Sequence, residues 1–452
     1  MFDDIFNFLS HIDELFWSYF AFILIIVLGS ILTIKNKFFQ LLRIPQIGKT
    51  FFTMAKHGGE EKGRGVHPLK AFFASVGGMV GIGNVVGVIT AINLGGPGAL
   101  FWLWIAGLIG AIVKYSEIYL GLKYRQPNDH GGYDGGPMFF LKKAFKSPLF
   151  PTLVAILLCI YGVEIYQFTV ATESVINNWP ISRPLFIALI LGLVLYGGAG
   201  GVKRIGSICS WLMPVFISVY LLMALWVIFS KITFLPSVLF TVFKSAFTGH
   251  AAVGGFVGSS MILAIQHGVA RAAYSSDIGI GYDSILQSES NTIHPQRQAC
   301  LAIIGVGIDS LICTVSMLVV LLTDVWTNTA NLPASLLIQE ALSKFFPYMY
   351  IFIPLFLIIS MYTTVIAYLV VGLKCAHYLF PNYGRKFYFV YATFSLIFFS
   401  FFDPSRALIV MSIAGAMLLI INLLGIFRLR NEITFSAGDM FEYQSLTEEK
   451  IA

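Results

Sequence analysis

Apolar runs of roughly 18 residues or more recur along the entire chain, which sets it among polytopic membrane proteins. They fall near 16–34, 69–94, 97–122, 149–176, 184–199, 205–230, 250–275, 297–323, 348–379, 386–402 and 405–427. The pattern predicts an all-α integral membrane protein of about eleven transmembrane helices, one polytopic unit over 1–452. Composition agrees. Charged residues make up 12% of the chain, half of the about 25% usual in soluble domains. The first run follows Asp3, Asp4, Asp13 and Glu14 rather than Lys or Arg, so it reads as a true span and not a signal peptide. Cys159, Cys209, Cys300, Cys313 and Cys375 are scattered without a CxxC pair, which supports neither a disulfide frame nor a metal site.

Loop charge gives an orientation. With these spans, 23 Lys and Arg fall on one side of the bilayer and 5 on the other, from Arg183, Lys231, Lys244, Lys344 and Arg406. Basic loops stay cytoplasmic, so the N-terminus is expected outside and the tail 428–452 in the cytoplasm of a cell whose plasma (inner) membrane holds the protein. The +6 net charge is this asymmetry, and no nucleic-acid partner is needed to explain it.

One span is unusual inside. Val76-Gly-Gly-Met-Val-Gly-Ile-Gly-Asn-Val-Val-Gly-Val88 places five glycines and an asparagine at bilayer depth. Each glycine weakens a helix by about 1 kcal/mol relative to alanine, and freed backbone is tolerated in a membrane only where it lines a cavity or meets protein. Close GxxxG helix packing, as in Gly83-Asn-Val-Val-Gly87, is the competing explanation. A second cluster, Phe247-Thr-Gly-His-Ala-Ala-Val-Gly-Gly-Phe-Val-Gly258, lies five spans later. Two interrupted spans in matching positions of two halves point to an inverted-repeat carrier. The expected layout is an extra helix at 16–34, a five-helix repeat at 69–230 and another at 250–427. Freed N–H groups at a half-helix N-terminus suit a carboxylate, and freed carbonyls suit a hard cation. A small zwitterion travelling with a cation fits both, and no resident cofactor is implied.

These residues resemble the alanine/glycine:cation symporter family. The likeness runs through Gly77 to Asn84, Asn93-Leu-Gly-Gly-Pro-Gly-Ala-Leu-Phe-Trp-Leu-Trp104, Lys114-Tyr-Ser-Glu117 and Gly135-Gly-Pro-Met138. It continues through Thr248 to Phe256, Gly268-Val-Ala-Arg271, Gly279-Ile-Gly281, His294-Pro-Gln-Arg-Gln298 and Ile308-Asp309. The resemblance implies a LeuT-type 5+5 inverted repeat behind one extra helix, and uptake of alanine, glycine or a close relative driven by Na⁺ or H⁺. Carried over, the substrate carboxylate rests on the backbone of Gly81, Ile82 and Gly83, and Asn84 orients substrate or cation. Gln167 faces the pocket, and Gly254, Gly255 and Phe256 bound the substrate side chain. Thr363 and Thr364 complete a sodium site with carbonyls near Gly77 and Val80. Two positions depart from the family: Ile82 stands where it usually has Thr, and Glu164 where it usually has Asn.

Ionisable residues at bilayer depth are functional candidates by default. Lys114 and Glu117 share one helix face at i,i+3 and can pair locally, as a structural or gating pair. Asp309 stands alone in its span, either fixing neighbouring backbone or attracting a cation. Glu164, expected mid-span and one turn from Gln167, is a candidate for cation coupling or for contact with the substrate ammonium. A proton-coupled or differently specific carrier of the same fold is the alternative reading. An intramembrane enzyme would need a nucleophile–base constellation or paired acids, and Asp3-Asp4 lies outside the first span. The expected partners are therefore a small amino acid and the lipid bilayer, with no obligate protein partner.

Overall fold

The computed structural model describes residues 2–57, 64–129, 131–248, 261–328 and 332–437. Among these the one sheet is a two-stranded hairpin, Gln126–Pro127 against Tyr133–Asp134, and the fold is otherwise helical. Among the described residues seven helices are long and apolar enough to cross a bilayer alone: Asp4–Lys35, Ala99–Lys123, Leu149–Asn178, Gly201–Ser230, Pro295–Thr323, Met349–Leu379 and Pro404–Arg428. An eighth crossing joins Pro68–Met79 to Gly83–Gly95, which bend by 44° about the residues between them.

Eleven spans remain the expectation from composition, and eight is what helix length supports. The runs at 184–199 and 386–402 form Arg183–Gly198 and Gly384–Phe399, 16 residues each. At 1.5 Å per residue these reach about 24 Å, short of a hydrocarbon core of roughly 30 Å. The run at 250–275 is helical over Met261–Ser275, and 249–260 lies outside the described residues.

Helices differ sharply in what they face. In Met349–Leu379, 78% of the most apolar stretch is buried, against 28% in Gly201–Ser230. The latter turns Trp211, Leu222, Trp226 and Phe229 outward, as a helix in lipid solvent can without cost. The former is therefore central and the latter peripheral.

At the centre, two helices lie antiparallel to each other, and both are interrupted. Gly95 packs against Leu263, Ala264 and His267, Gly83 against Tyr274, and Gly78 against Tyr282. Further along, Ser75 bonds Asp283 and Gln287, and Val66 shares backbone hydrogen bonds with Glu289 and Asn291. From Ser75 to Gly95 rising numbers on one segment meet falling numbers on the other, and the contact ends in a short parallel pairing of Val66 with Ser290. Gly78 must be glycine here, because the Tyr282 hydroxyl occupies the place of a Cβ.

Candidate substrate and cation site

The first interruption falls where the glycines predicted. Helix Pro68–Met79 stops at Val80, whose backbone is extended (φ −83°, ψ 91°), and a π-helical turn, Gly83–Gly87, restarts the chain. Such turns concentrate at functional sites. A restarted helix leaves its first N–H groups without intrahelical partners. Two side-chain amides supply them. Gly81 N–H donates to Asn84 Oδ1 at 3.0 Å, and Ile82 N–H donates to Gln167 Oε1 at 2.8 Å. Every residue from Val80 to Val88 is buried.

Asn84 ties this restart to two other helices. Its Nδ2 donates to Asp309 Oδ1, and the other oxygen of Asp309 accepts from Ser275 Oγ (2.9 Å) and Ser276 Oγ (2.5 Å). Asp309 is thus not a lone carboxylate. It bridges the two broken helices through side-chain donors from each.

The second interruption, Ser276 to Gly281, lies between Met261–Ser275 and Tyr282–Gln287 and is fully buried. Sequence reasoning placed a break at 247–258, of which 249–258 lie outside the described residues; the interruption at Ser276 to Gly281 is one it did not anticipate. Gly254, Gly255 and Phe256, expected to bound the substrate, lie outside the described residues. At the observed break the exposed groups are carbonyls, and donors arrive from distant helices. Lys114 Nζ donates to the carbonyls of Ser276 (2.6 Å) and Asp277 (2.8 Å) and pairs with Asp283. Asn422 Nδ2 donates to those of Gly279 and Ile280, both at 2.9 Å. The ion pair of Lys114 therefore runs to Asp283 and not to Glu117. Glu117 is buried against the backbone of Gly281 and Ser284. Sharing a helix face at i,i+3 was outweighed by a long-range cluster of acceptors around the ammonium.

Glu164 also differs from expectation. The span Leu149–Asn178 is interrupted within, as Leu149–Tyr161 and Ile165–Asn178, and Glu164 occupies the joint with a left-handed backbone, φ 54°. Gly162, a poor helix former, precedes it. Glu164 Oε1 accepts from Tyr274 Oη at 3.0 Å. Arg271, counted above with the loops, is buried inside Met261–Ser275 next to Gly87.

The oxygens proposed for a cation are only partly convergent. Thr364 Oγ1 donates to the Gly77 carbonyl at 3.4 Å, deep in the protein. Thr363 turns instead to carbonyls of its own helix, Ile359 at 3.3 Å and Ser360 at 2.9 Å. Val80 contributes no bond to either threonine, and its N–H closes the preceding turn onto Val76. Thr364 and Gln167 both press on Gly81, which has no room for a side chain. The first break, Gln167 and Thr364 thus form one contact.

The residues that sequence reasoning missed are Asp277, Asp283, Ser75, Ser276 and Asn422. The available signal was two acids six residues apart around Gly279-Ile-Gly281, inside an otherwise apolar stretch.

Two facing, interrupted, antiparallel helices at the centre of an all-helical membrane protein define a membrane transporter. The chain belongs to the sodium:alanine symporter family, whose model matches residues 3–451. This is a family of transporters, not enzymes. The uncharacterized transporter YflA of Bacillus subtilis (strain 168) is 32% identical over 393 residues, 85% of this chain and 82% of that one. The sodium/alanine symporter AgcS of Methanococcus maripaludis is 27% identical over 396 residues, covering 85% and 86%. The crystal structure of MhsT in complex with L-phenylalanine matches with a TM-score of 0.54 at 15% identity, covering 79% of this chain and 89% of that one. This last likeness concerns fold alone.

Proposed function

We propose that the protein is a Na⁺-coupled symporter that takes up small neutral amino acids such as alanine or glycine by alternating access. The observation that carries this reading is the pair of facing breaks joined through Asp309. One offers N–H groups and the other offers carbonyls, complementary to a zwitterion. Gly81, Ile82 and Gly83 would receive the carboxylate. Asn84 and Gln167 act as placeholders, releasing the two amides when a carboxylate arrives. Gly77 and Thr364 would begin the sodium site, with Thr363 and the Val80 carbonyl joining after a local rotation. The two broken helices belong to five-helix repeats at 69–230 and 250–427, behind the extra helix at 16–34, with the N-terminus outside and the C-terminus cytoplasmic. AgcS, a relative across most of the chain, is named a sodium/alanine symporter, which supports both substrate class and ion.

The test is uptake of a small amino-acid panel into proteoliposomes at two pH values, with Na⁺ replaced by choline or Li⁺. The reading expects uptake to fall at least tenfold without Na⁺. Uptake indifferent to Na⁺ but dependent on pH would transfer the coupling to protons. Absence of substrate-stimulated exchange would remove the carrier reading altogether.

A further inference from the structure

Two tyrosine–acid pairs cross between the segments that flank the site. Tyr161 ends one helix and Glu164 follows three residues on. Tyr274 lies in the last turn of another and Asp277 follows three residues on. Each hydroxyl donates to the other segment's acid: Tyr274 Oη to Glu164 Oε1 at 3.0 Å, and Tyr161 Oη to Asp277 Oδ1 at 3.2 Å. The two rings meet edge to face, with centroids 6.2 Å apart. Both acids hold a left-handed backbone, φ 54° at Glu164 and 49° at Asp277. That conformation costs a non-glycine residue about 1–3 kcal/mol and clusters at functional positions.

Each acid also keeps one oxygen unused. Glu164 Oε2 and Asp277 Oδ2 are buried without a well-formed hydrogen bond, on side chains 1% and 0% exposed, with the Gln167 amide beside Glu164. The charge of Lys114 reaches Asp277, but its ammonium makes no bond to either free oxygen. The Lys114 ammonium is committed to two backbone carbonyls and to Asp283. The Arg271 guanidinium lies over the Tyr274 ring at 5.5 Å. Tyr368, stacked on Tyr282, brings a third hydroxyl beside Asp277. The two acids also feel each other's charge. Two like charges in a dry site are costly unless something positive joins them.

We propose that Glu164 and Asp277, crossed with Tyr274 and Tyr161, form a monovalent-cation site that takes a proton or Na⁺. It shares no residue with the Gly77–Thr364 pair and does not depend on which amino acid is carried. Its ligands are hard: two carboxylate oxygens and phenol hydroxyls. Because Glu164 sits in one helix interruption and Asp277 in another, a cation held by both links the movements of those two helices.

The full-length protein purified in detergent is the sample, and two probes separate the sources. Radioactive sodium is counted per chain, and infrared difference spectra across a pH step report carboxyl protonation. Glu164→Gln and Asp277→Asn each leave the other acid in place, yet both must lose the same cation. The loss is one Na⁺ per chain if the site takes sodium, or the titrating carboxyl signal of the whole pair if it takes a proton. Tyr274→Phe keeps both acids and the ring; it weakens a bound Na⁺ about tenfold, the worth of one hydrogen bond to a charged group, and tightens a bound proton by a similar factor, because the lost hydroxyl donated to the ionised carboxyl. Trp211→Phe, on the outward face of Gly201–Ser230, leaves it unchanged. An unaltered sodium count, with the remaining acid titrating as in the unmodified protein, overturns the proposal. If the acid variants do not stay monodisperse, Tyr274→Phe decides, and an unchanged cation affinity overturns it. No amino acid is added, so failure of the uptake assay leaves this test standing.

Discussion

The two breaks are opposite in chemistry. At the first, glycine makes the interruption and local side-chain amides satisfy the freed donors, Asn84 at Gly81 and Gln167 at Ile82. At the second, the exposed groups are acceptors, and an ammonium and an amide from other helices satisfy them. The difference follows from direction. At the first break the side-chain amides meet the restarting half-helix, rich in N–H, whereas at the second the ammonium meets the end of Met261–Ser275, rich in C=O. A neutral amide can yield its partner to an arriving ligand cheaply. A buried ammonium paired to a carboxylate cannot, so the first break is the adaptable half and the second the fixed one.

That contrast is broken most directly at Lys114. Lys114→Met leaves two carbonyls and the Asp283 carboxylate without their cation, and removing one partner of a buried pair costs about 3–5 kcal/mol. Thermal unfolding in detergent should show the largest loss of any single substitution considered. Adding Asp283→Leu should recover a substantial part, since the unpaired charge is then gone. If Lys114→Met is no less stable than Asn84→Ala, the second break is not the fixed one. Asn84→Ala is expected to cost about 1–3 kcal/mol, from one unsatisfied amide and one lost donor to Asp309. Under the proposed function it should also weaken substrate binding more than tenfold. Stability lost with affinity unchanged would remove Asn84 from the site.

The first break could be read from the chain because its cause is local: glycines lower helix propensity where they stand. The second could not, because its cause is remote. Lys114 is 162 residues from Ser276, and Asn422 is 143 from Gly279. Local reading found the denser glycines of 247–258, most of which lie outside the described residues, and no local signal marked this further break. The Glu164 joint failed for the same reason. An apolar run of span length hides a three-residue interruption, and the Tyr274 hydroxyl that meets the acid is 110 residues away. The run positions and the first break were legible, whereas partner choice among buried polar groups was not. Lys114 had a plausible partner at i+3, and only the packed fold shows Asp283.

Asn422 offers a milder cut at the second break. Asn422→Leu keeps the bulk and removes the amide donor to the Gly279 and Ile280 carbonyls, while Lys114 still holds those of Ser276 and Asp277 in the same break. It should cost about 1 kcal/mol net, read as a smaller fall in melting temperature than Lys114→Met. A loss as large as that of Lys114→Met would mean that the amide, not the ammonium, holds the break.

The smallest effect separates the far ends of the two broken helices. The first opens on His67, whose Nδ1 accepts the Leu69 N–H at 3.2 Å as a helix cap. Burial, and then Lys70, hold its pKa below the usual 6.5. Protonation removes the acceptor. The cap therefore stabilises fully above the unfolded value and is lost as pH falls through the lower folded one, at a cost of about 1 kcal/mol. The chain beyond the second helix is held by Arg125, which donates to the carbonyls of Ser288, Ser290 and Thr292 and keeps its charge across this range. Mild acid should loosen the first helix alone. Hydrogen exchange should then quicken in 68–75 between pH 7 and pH 5 while 282–292, once corrected for intrinsic rates, stays level. His67→Asn, a cap that does not titrate, should abolish the change. Equal loosening at both ends would mean that the two helices respond to pH as one body.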